Sequence, residues 1–239
     1  MVTGWHEGPL AGFDLETTGP DPETARIVTA AVMWRGTPQD GGSNWLVIPE
    51  EDIPAEATAV HGITTEHARA EGMDRHQAVE GITRGLRQAM ACGWPIVIYN
   101  APYDLTVLDR ETHRLGLPPF CEAFCEDVGV AIDPLVLDKH LDRYRRGSRT
   151  LTAACAHYGV TSEGAHDAET DALAAMRVAW KIAVRYPAIA AMPVAELHEL
   201  QVKAKADQAA SFQDYLRRQG SDEIVDGSWP FRVCAEVAS

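Results

Sequence analysis

No run in this 239-residue chain approaches the roughly 20 consecutive apolar residues that a membrane-spanning helix needs, so a membrane protein of that kind is not expected. Residues 1–8 also lack the basic-then-apolar order of a secretory leader, which points to a cytoplasmic protein. Cysteine is sparse and odd in number. Cys92, Cys121, Cys125, Cys155 and Cys234 argue against a disulfide framework and for a reducing compartment. Cys121 and Cys125 are followed by no second pair with ligand spacing, which argues against structural zinc. Positive charge is scarce too: 21 Lys and Arg face 35 Asp and Glu, a net charge of −14, which counts against a nucleic-acid partner bound through a basic patch. One metal-loaded acidic cleft would invert that sign locally, so the charge does not by itself exclude an anionic partner. Internal repeats and low-complexity linkers are absent.

What remains is ordinary globular material, 46% apolar and 23% charged, enough for one sizeable domain with an appendage. Phe13-Asp14-Leu15-Glu16 alternates apolar and acidic residues before a Thr-Thr-Gly-Pro break, so a strand is predicted with Asp14 and Glu16 on one face. Paired like charges there favour a hard divalent cation, although an isolated D-x-E also suits the solvated face of an edge strand.

Residues 26–34 and 44–48 read as two more strands, with 35–43 as the hairpin loop, giving an antiparallel meander. Residues 49–59 read as irregular and 74–91 as an amphipathic helix. Residues 95–99 form an apolar run suited to a buried strand, and the helix after it places Asp104 at the strand's carboxyl end. A short fifth strand is expected over 128–132, then helices over 134–144, 151–158, 167–186 and 193–218. Asp167 is a good helix cap, with His166 just outside it and Asp171 one turn inside.

Three segments, FDLETTG, YNAPYD and HDAETD, thus offer acids in order. Together they resemble the DnaQ-like 3'-5' exonucleases, in the DEDDh branch named for four acids and a histidine. The similarity covers about residues 8–187, and HGIT at His61 is similar to a substrate-side motif of the family. The resemblance implies an α/β, ribonuclease-H-like fold: a mixed five-stranded sheet, three strands as an antiparallel meander plus parallel strands, flanked by helices. It divides the chain into an exonuclease domain, 8–187, and a C-terminal helical extension and tail, 188–239.

The implied catalytic set is Asp14, Glu16, Asp104, Asp171 and His166. The four acids would hold two divalent ions, Mg2+ or Mn2+, and His166 would act as general base. A Tyr four residues before the last acid would mark the family's other branch, and Asp167 stands there. Thr17, Thr18, His61, Asn100 and Tyr103 are the implied substrate contacts, and the basic stretch Arg143–Arg149 is a candidate path for the phosphate backbone or else a solvated linker. The expected activity is removal of nucleoside 5'-monophosphates from single-stranded or frayed DNA 3' ends, in proofreading or repair, with a DNA polymerase subunit as a candidate partner. RNA as substrate, as in oligoribonuclease-like relatives, and a non-catalytic interaction subunit stay open as alternatives.

Overall fold

The computed structural model describes residues 4–127, 129–161 and 167–232. Its five-stranded sheet has the order β3-β2-β1-β4-β5. Strands β1 (Leu10–Thr17), β2 (Ile27–Arg35) and β3 (Gly41–Leu46) pair antiparallel, and β4 (Ile96–Val97) and β5 (Ala131–Ile132) continue the sheet in parallel with β1. This is the mixed sheet expected from the sequence.

Helices α1 (Ala55–His61), α2 (Thr65–Glu71) and α3 (Arg75–Ala91) lie between β3 and β4. Between β4 and β5 come α4 (Ala101–Arg114) and α5 (Phe120–Glu126). After β5 follow α6 (Pro134–Leu141), α7 (Leu151–Tyr158), α8 (Ala168–Arg185), α9 (Pro187–Ala190) and α10 (Val194–Arg218).

The period of two in β1 splits the core. Phe13 and Leu15 pack with Ile82 and Leu86 of α3 and Leu105 and Leu108 of α4. On the other face, Leu10 joins Ala172, Ala175, Met176 and Ala179 of α8. Gly12 shares that second face, and a Cβ there would lie 2.6 Å from Met176 Sδ and 3.0 Å from the Ala172 carbonyl oxygen. The Ala-rich helix therefore lies directly on β1, an approach that only small residues permit.

Several expected boundaries move. Gly41 to Ser43 belong to β3 rather than to the hairpin loop, because they pair with Trp34 to Val32 and the Met33 side chain fills the space over Gly42. Residues expected to be irregular contain α1, which starts directly after Pro54. The two buried strands shrink to two residues each, although Ile98 N still donates to Ile132 O at 2.9 Å. Val128, placed in the fifth strand by the sequence reading, lies outside the described residues. α5 was not expected at all, yet its Phe120, Ala123 and Phe124 are buried at helical spacing. The expected helix 134–144 stops at Leu141.

The long C-terminal helix packs on this sheet rather than standing away from it. Gln201 of α10 is fully buried, donates to Ala131 O (3.1 Å) and accepts from Asp133 N (2.6 Å). Trp229 in the tail returns to the core, and Arg232 N donates to Thr106 Oγ1 of α4 at 2.9 Å.

Candidate metal centre

Asp14 and Glu16 emerge from β1 on the face that α8 covers, and Asp171 lies in the first turn of α8. The close approach at Gly12 brings that turn over the two strand acids. One carboxylate oxygen from each of Asp14, Glu16 and Asp171 lies within 4.8 Å of the other two, and all three residues are half-buried. Among the described residues, no second group of His, Cys, Asp or Glu is so placed.

Asp104 approaches from the first turn of α4. The parallel register sets Ala11 beside Ile96 and Gly12 beside Val97, so the chain leaving β4 reaches the level of Asp14 as it enters α4. Asp104 is buried, and its Oδ1 accepts from Leu15 N at 3.0 Å. A hydrogen bond across 89 positions of sequence thus ties the second segment between the two acids of β1.

The turn before α4 rests on a residue the sequence reading passed over. Asn100 adopts the left-handed conformation, φ 70°, which Asn tolerates better than most residues. Its N–H donates to Asp133 Oδ1 and that of Ala101 to Asp133 Oδ2, both at 3.0 Å. Asp133 also caps α6, accepting from Leu135 N (2.9 Å) and Val136 N (3.4 Å). One fully buried carboxylate therefore fastens the starts of two helices. The Asp-Pro pair at 133–134, a capping acid before a proline at the first helical position, was the available signal.

Burial and mutual repulsion govern the electrostatics. The Asp14 carboxyl is held well above its ordinary range, first by burial and then by Asp104, Asp171, Glu16 and Asp167. Glu16 is pushed up to about 7 by burial, Asp171 and Asp167. Asp104 is likewise raised, chiefly by burial, against the opposing hydrogen bonds from the Leu15 and Asp104 amides. Acids that raise one another's pKa favour a shared countercharge, and an all-carboxylate donor set fits a hard divalent cation.

Thr17 ends β1, Thr18 follows it, His61 ends α1, Asn100 precedes α4 and Tyr103 lies in its first turn. Tyr103 Oη, Thr17 Oγ1 and Gly19 O lie within hydrogen-bond reach of one another, Thr17 Oγ1 at 3.1 Å from Gly19 O, so the two hydroxyl protons serve two of the three contacts at a time. Burial, opposed by the bond to Thr17, pushes the Tyr103 hydroxyl up to about 12. Thr18 Oγ1 accepts from Arg26 N at 2.9 Å and pins the turn after β1. His61 closes α1, with its Nδ1 accepting from Ile63 N at 3.1 Å, and Ile63 packs on a small cluster of Val28, Ile53 and Ala68. His166 lies outside the described residues. Its neighbour Asp167 caps α8, accepting from Thr170 N at 3.1 Å.

Comparison with known proteins agrees with this architecture. The sequence profile of RNase_T, described as exonuclease, matches residues 11–179. An uncharacterized exonuclease of Escherichia phage 186 is 31% identical over 172 residues, covering 70% of this chain and 84% of that protein. DNA polymerase III subunit epsilon of Rickettsia felis is 28% identical over 155 residues, 64% of this chain and 63% of that one. Escherichia coli Exonuclease I, solved in complex with a dT13 oligonucleotide, superposes with a TM-score of 0.64 at 19% identity, over 76% of this chain and 42% of that one. At that identity the likeness bears on the fold, and the chain spans less than two thirds of the length of either the polymerase subunit or Exonuclease I. With the profile spanning most of the sheet and α8, and the acidic motifs inside it, the chain belongs to the RNase_T exonuclease family, of DnaQ-like type.

Proposed function

We propose that this protein is a metal-dependent 3'-5' exonuclease that releases nucleoside 5'-monophosphates from single-stranded or frayed DNA 3' ends. The observation that carries the reading is the convergence of Asp14, Glu16 and Asp171 within 4.8 Å, with Asp104 bonded to the strand between the first two. The catalytic unit is residues 8–187, and 188–239 is a C-terminal extension whose helix α10 packs on it.

In this reading Asp14, Glu16, Asp104 and Asp171 would hold two divalent ions, Mg2+ or Mn2+. Such ions, when bound, supply Lewis acidity and positive charge for the entering and leaving oxygens of an in-line phosphodiester displacement. The chain's own work is to hold four carboxylates in place against their repulsion and to manage one proton. His166, next to the α8 cap in sequence and with an unperturbed pKa near 6.5, accepts that proton from the attacking water as general base. Thr17, Thr18, His61, Asn100 and Tyr103 form the walls for the terminal nucleotide. A DNA substrate is supported by the relatives' printed names, a DNA polymerase subunit and an exonuclease crystallised with dT13, and the former makes a polymerase subunit a candidate partner.

The test is release of mononucleotides from a 3'-labelled DNA oligomer, with and without chelator. Asp14→Ala and His166→Ala should each abolish release while circular dichroism stays unchanged, and chelator should do the same to the wild type. Undiminished release by Asp14→Ala would refute the assignment. Competition between matched DNA and RNA oligomers settles the sugar, since the 2'-hydroxyl is the main local difference available to the site.

A further inference from the structure

Beyond β5, α6 and α10 run side by side. Gln208 Nε2 donates to Val136 O at 3.1 Å, and Arg143 Nη2 donates to Ser211 Oγ at 3.2 Å. Between them lies a groove of about 670 Å³, with Lys139, Arg143, Arg145 and Arg149 on one side and Phe212 and Tyr215 on the other; Asp207 is an acid at its wall. Two of the cations are fixed from behind. Arg145 and Arg149 donate to the fully buried Asp138 at 2.7 and 2.6 Å, and Tyr158 Oη donates to the same carboxylate at 2.8 Å. One buried negative charge thus serves two guanidinium groups, and Lys139 and Arg143 add two more positive charges.

Lys139 is half-buried beside these charges, and its ammonium is drawn below its ordinary pKa first by burial and then by Lys205 and Arg149, against Asp133 and Asp138. Phe212 and Tyr215 are each half exposed and lie nearly parallel, 14° apart with centroids at 6.1 Å. Exposed aromatic faces beside ordered cations are the combination that holds single-stranded nucleic acid: phosphates follow the charge, and bases stack whatever their identity. In a chain of net charge −14, that concentration of positive charge is local and complementary to a polyanion.

Position agrees with this chemistry. β5 is two strands from β1, about 10 Å, and Phe212 lies eleven residues along α10 from Gln201, about 16 Å of helix. A strand of several nucleotides therefore spans the distance from the acids to the groove. Tyr99, leaving β4 for the Asn100 turn, joins the two places by donating to Arg149 O at 2.7 Å.

We propose that the α6–α10 groove binds the single-stranded DNA upstream of the scissile 3' end, with phosphates on Lys139 and Arg143 and bases stacked on Phe212 and Tyr215. The strand's direction rests on the nuclease reading above, but its binding does not, so the experiment reads binding without catalysis. Anisotropy of a dye-labelled dT12 is measured in chelator against salt concentration for the wild type, Phe212→Ala/Tyr215→Ala and Arg143→Ala. The aromatic pair should weaken dT12 binding by about 10-fold or more, with recovery in Phe212→Tyr/Tyr215→Phe. Arg143→Ala should lower the slope of log K against log salt by about 0.7, the amount for one lost phosphate contact to a single strand. All these side chains but Lys139 are exposed or paired at the surface, and circular dichroism checks the fold. Wild-type dT12 affinity and salt slope in both variants overturn the proposal. So does loss of self-association with dT12 binding intact, which assigns the face to a second copy. Failure of Asp14→Ala to stop hydrolysis overturns the nuclease reading and leaves these binding measurements intact.

Discussion

Gly12 is the position at which a single methyl group should separate the acids. A Cβ there would lie 2.6 Å from Met176 Sδ, 2.9 Å from Met176 Cγ and 3.0 Å from the Ala172 carbonyl oxygen. Comfortable contacts of this kind lie at about 3.5–4.0 Å. The Met176 side chain has rotatable bonds with which to give way, but the Ala172 oxygen is helical main chain one residue past Asp171, so α8 must lift by about half an ångström at its first turn. Overpacking of this kind costs about 1–3 kcal/mol, offset by about 0.4–1 kcal/mol because alanine restricts the unfolded chain more than glycine does. Gly12→Ala should therefore lose only about 1 kcal/mol in urea unfolding and stay folded. The larger effect is on the site. A misplacement of 1 Å in a catalytic constellation can cost about 100-fold, so half of that predicts roughly 10-fold slower nucleotide release and weaker Mn2+ binding by calorimetry. Gly85→Ala on α3 is the control, since its Cβ would meet nothing closer than 3.7 Å. If Gly12→Ala binds Mn2+ and turns over like the wild type, the approach of α8 to β1 does not set the acid spacing, and the packing argument fails.

Two further perturbations probe the same framework. Glu16 titrates near 7 in the folded protein and near 4.3 when unfolded, so between those values the folded state holds a proton that the unfolded state has lost. In chelator this contribution is complete below about pH 4 and disappears as pH rises through 7. Because Glu16 is only half-buried, it is worth about 1–2 kcal/mol after screening. A divalent cation relieves the same repulsion, so the rise in melting temperature on adding Mn2+ should be larger at pH 8 than at pH 5. Equal increments at the two values contradict the charge argument. Asp133→Ala removes the acceptor of four backbone N–H groups and should lose about 3 kcal/mol in urea unfolding, with Asp133→Asn losing less. A loss below about 1 kcal/mol would show that water replaces the carboxylate there.

Where a residue's role is set within a few positions of itself, the sequence made it readable. Alternation placed Asp14 and Glu16 on one face, apolar periodicity located α3 to within a residue, and the capping acid Asp167 located the start of α8. Roles set across the sheet were less visible. The run 95–99 is apolar throughout because it is buried, but how much of it pairs depends on β1 and β5, and only Ile96 and Val97 do so as strand. Gly41 and Gly42 resemble loop residues, yet they are strand residues because Trp34 and Met33 need the space above them. Asp133 has the strongest local signal of those overlooked. Its second task, holding the Asn100 turn, spans 33 positions and follows only from the parallel pairing of β4 with β5.

The contacts that hold the acids in place are independent of the ions those acids would bind. Asp104 is held by the Leu15 amide, the start of α4 by Asp133, and the first turn of α8 by its seating on Gly12. Each of these is a hydrogen bond or a steric fit that persists whatever the protonation state of Glu16. The fold therefore bears both the burial of the carboxylates and their repulsion itself, and burial first, with repulsion added, is why Asp14, Glu16 and Asp104 are all shifted upward. A cation arriving at such a site need not organise it, since the ordering cost has been met in folding and the relief of repulsion goes into binding. Loosening any one of the three attachments should then weaken ion binding even where every carboxylate is kept, which is why Gly12→Ala and Asp133→Asn are more informative than removal of an acid.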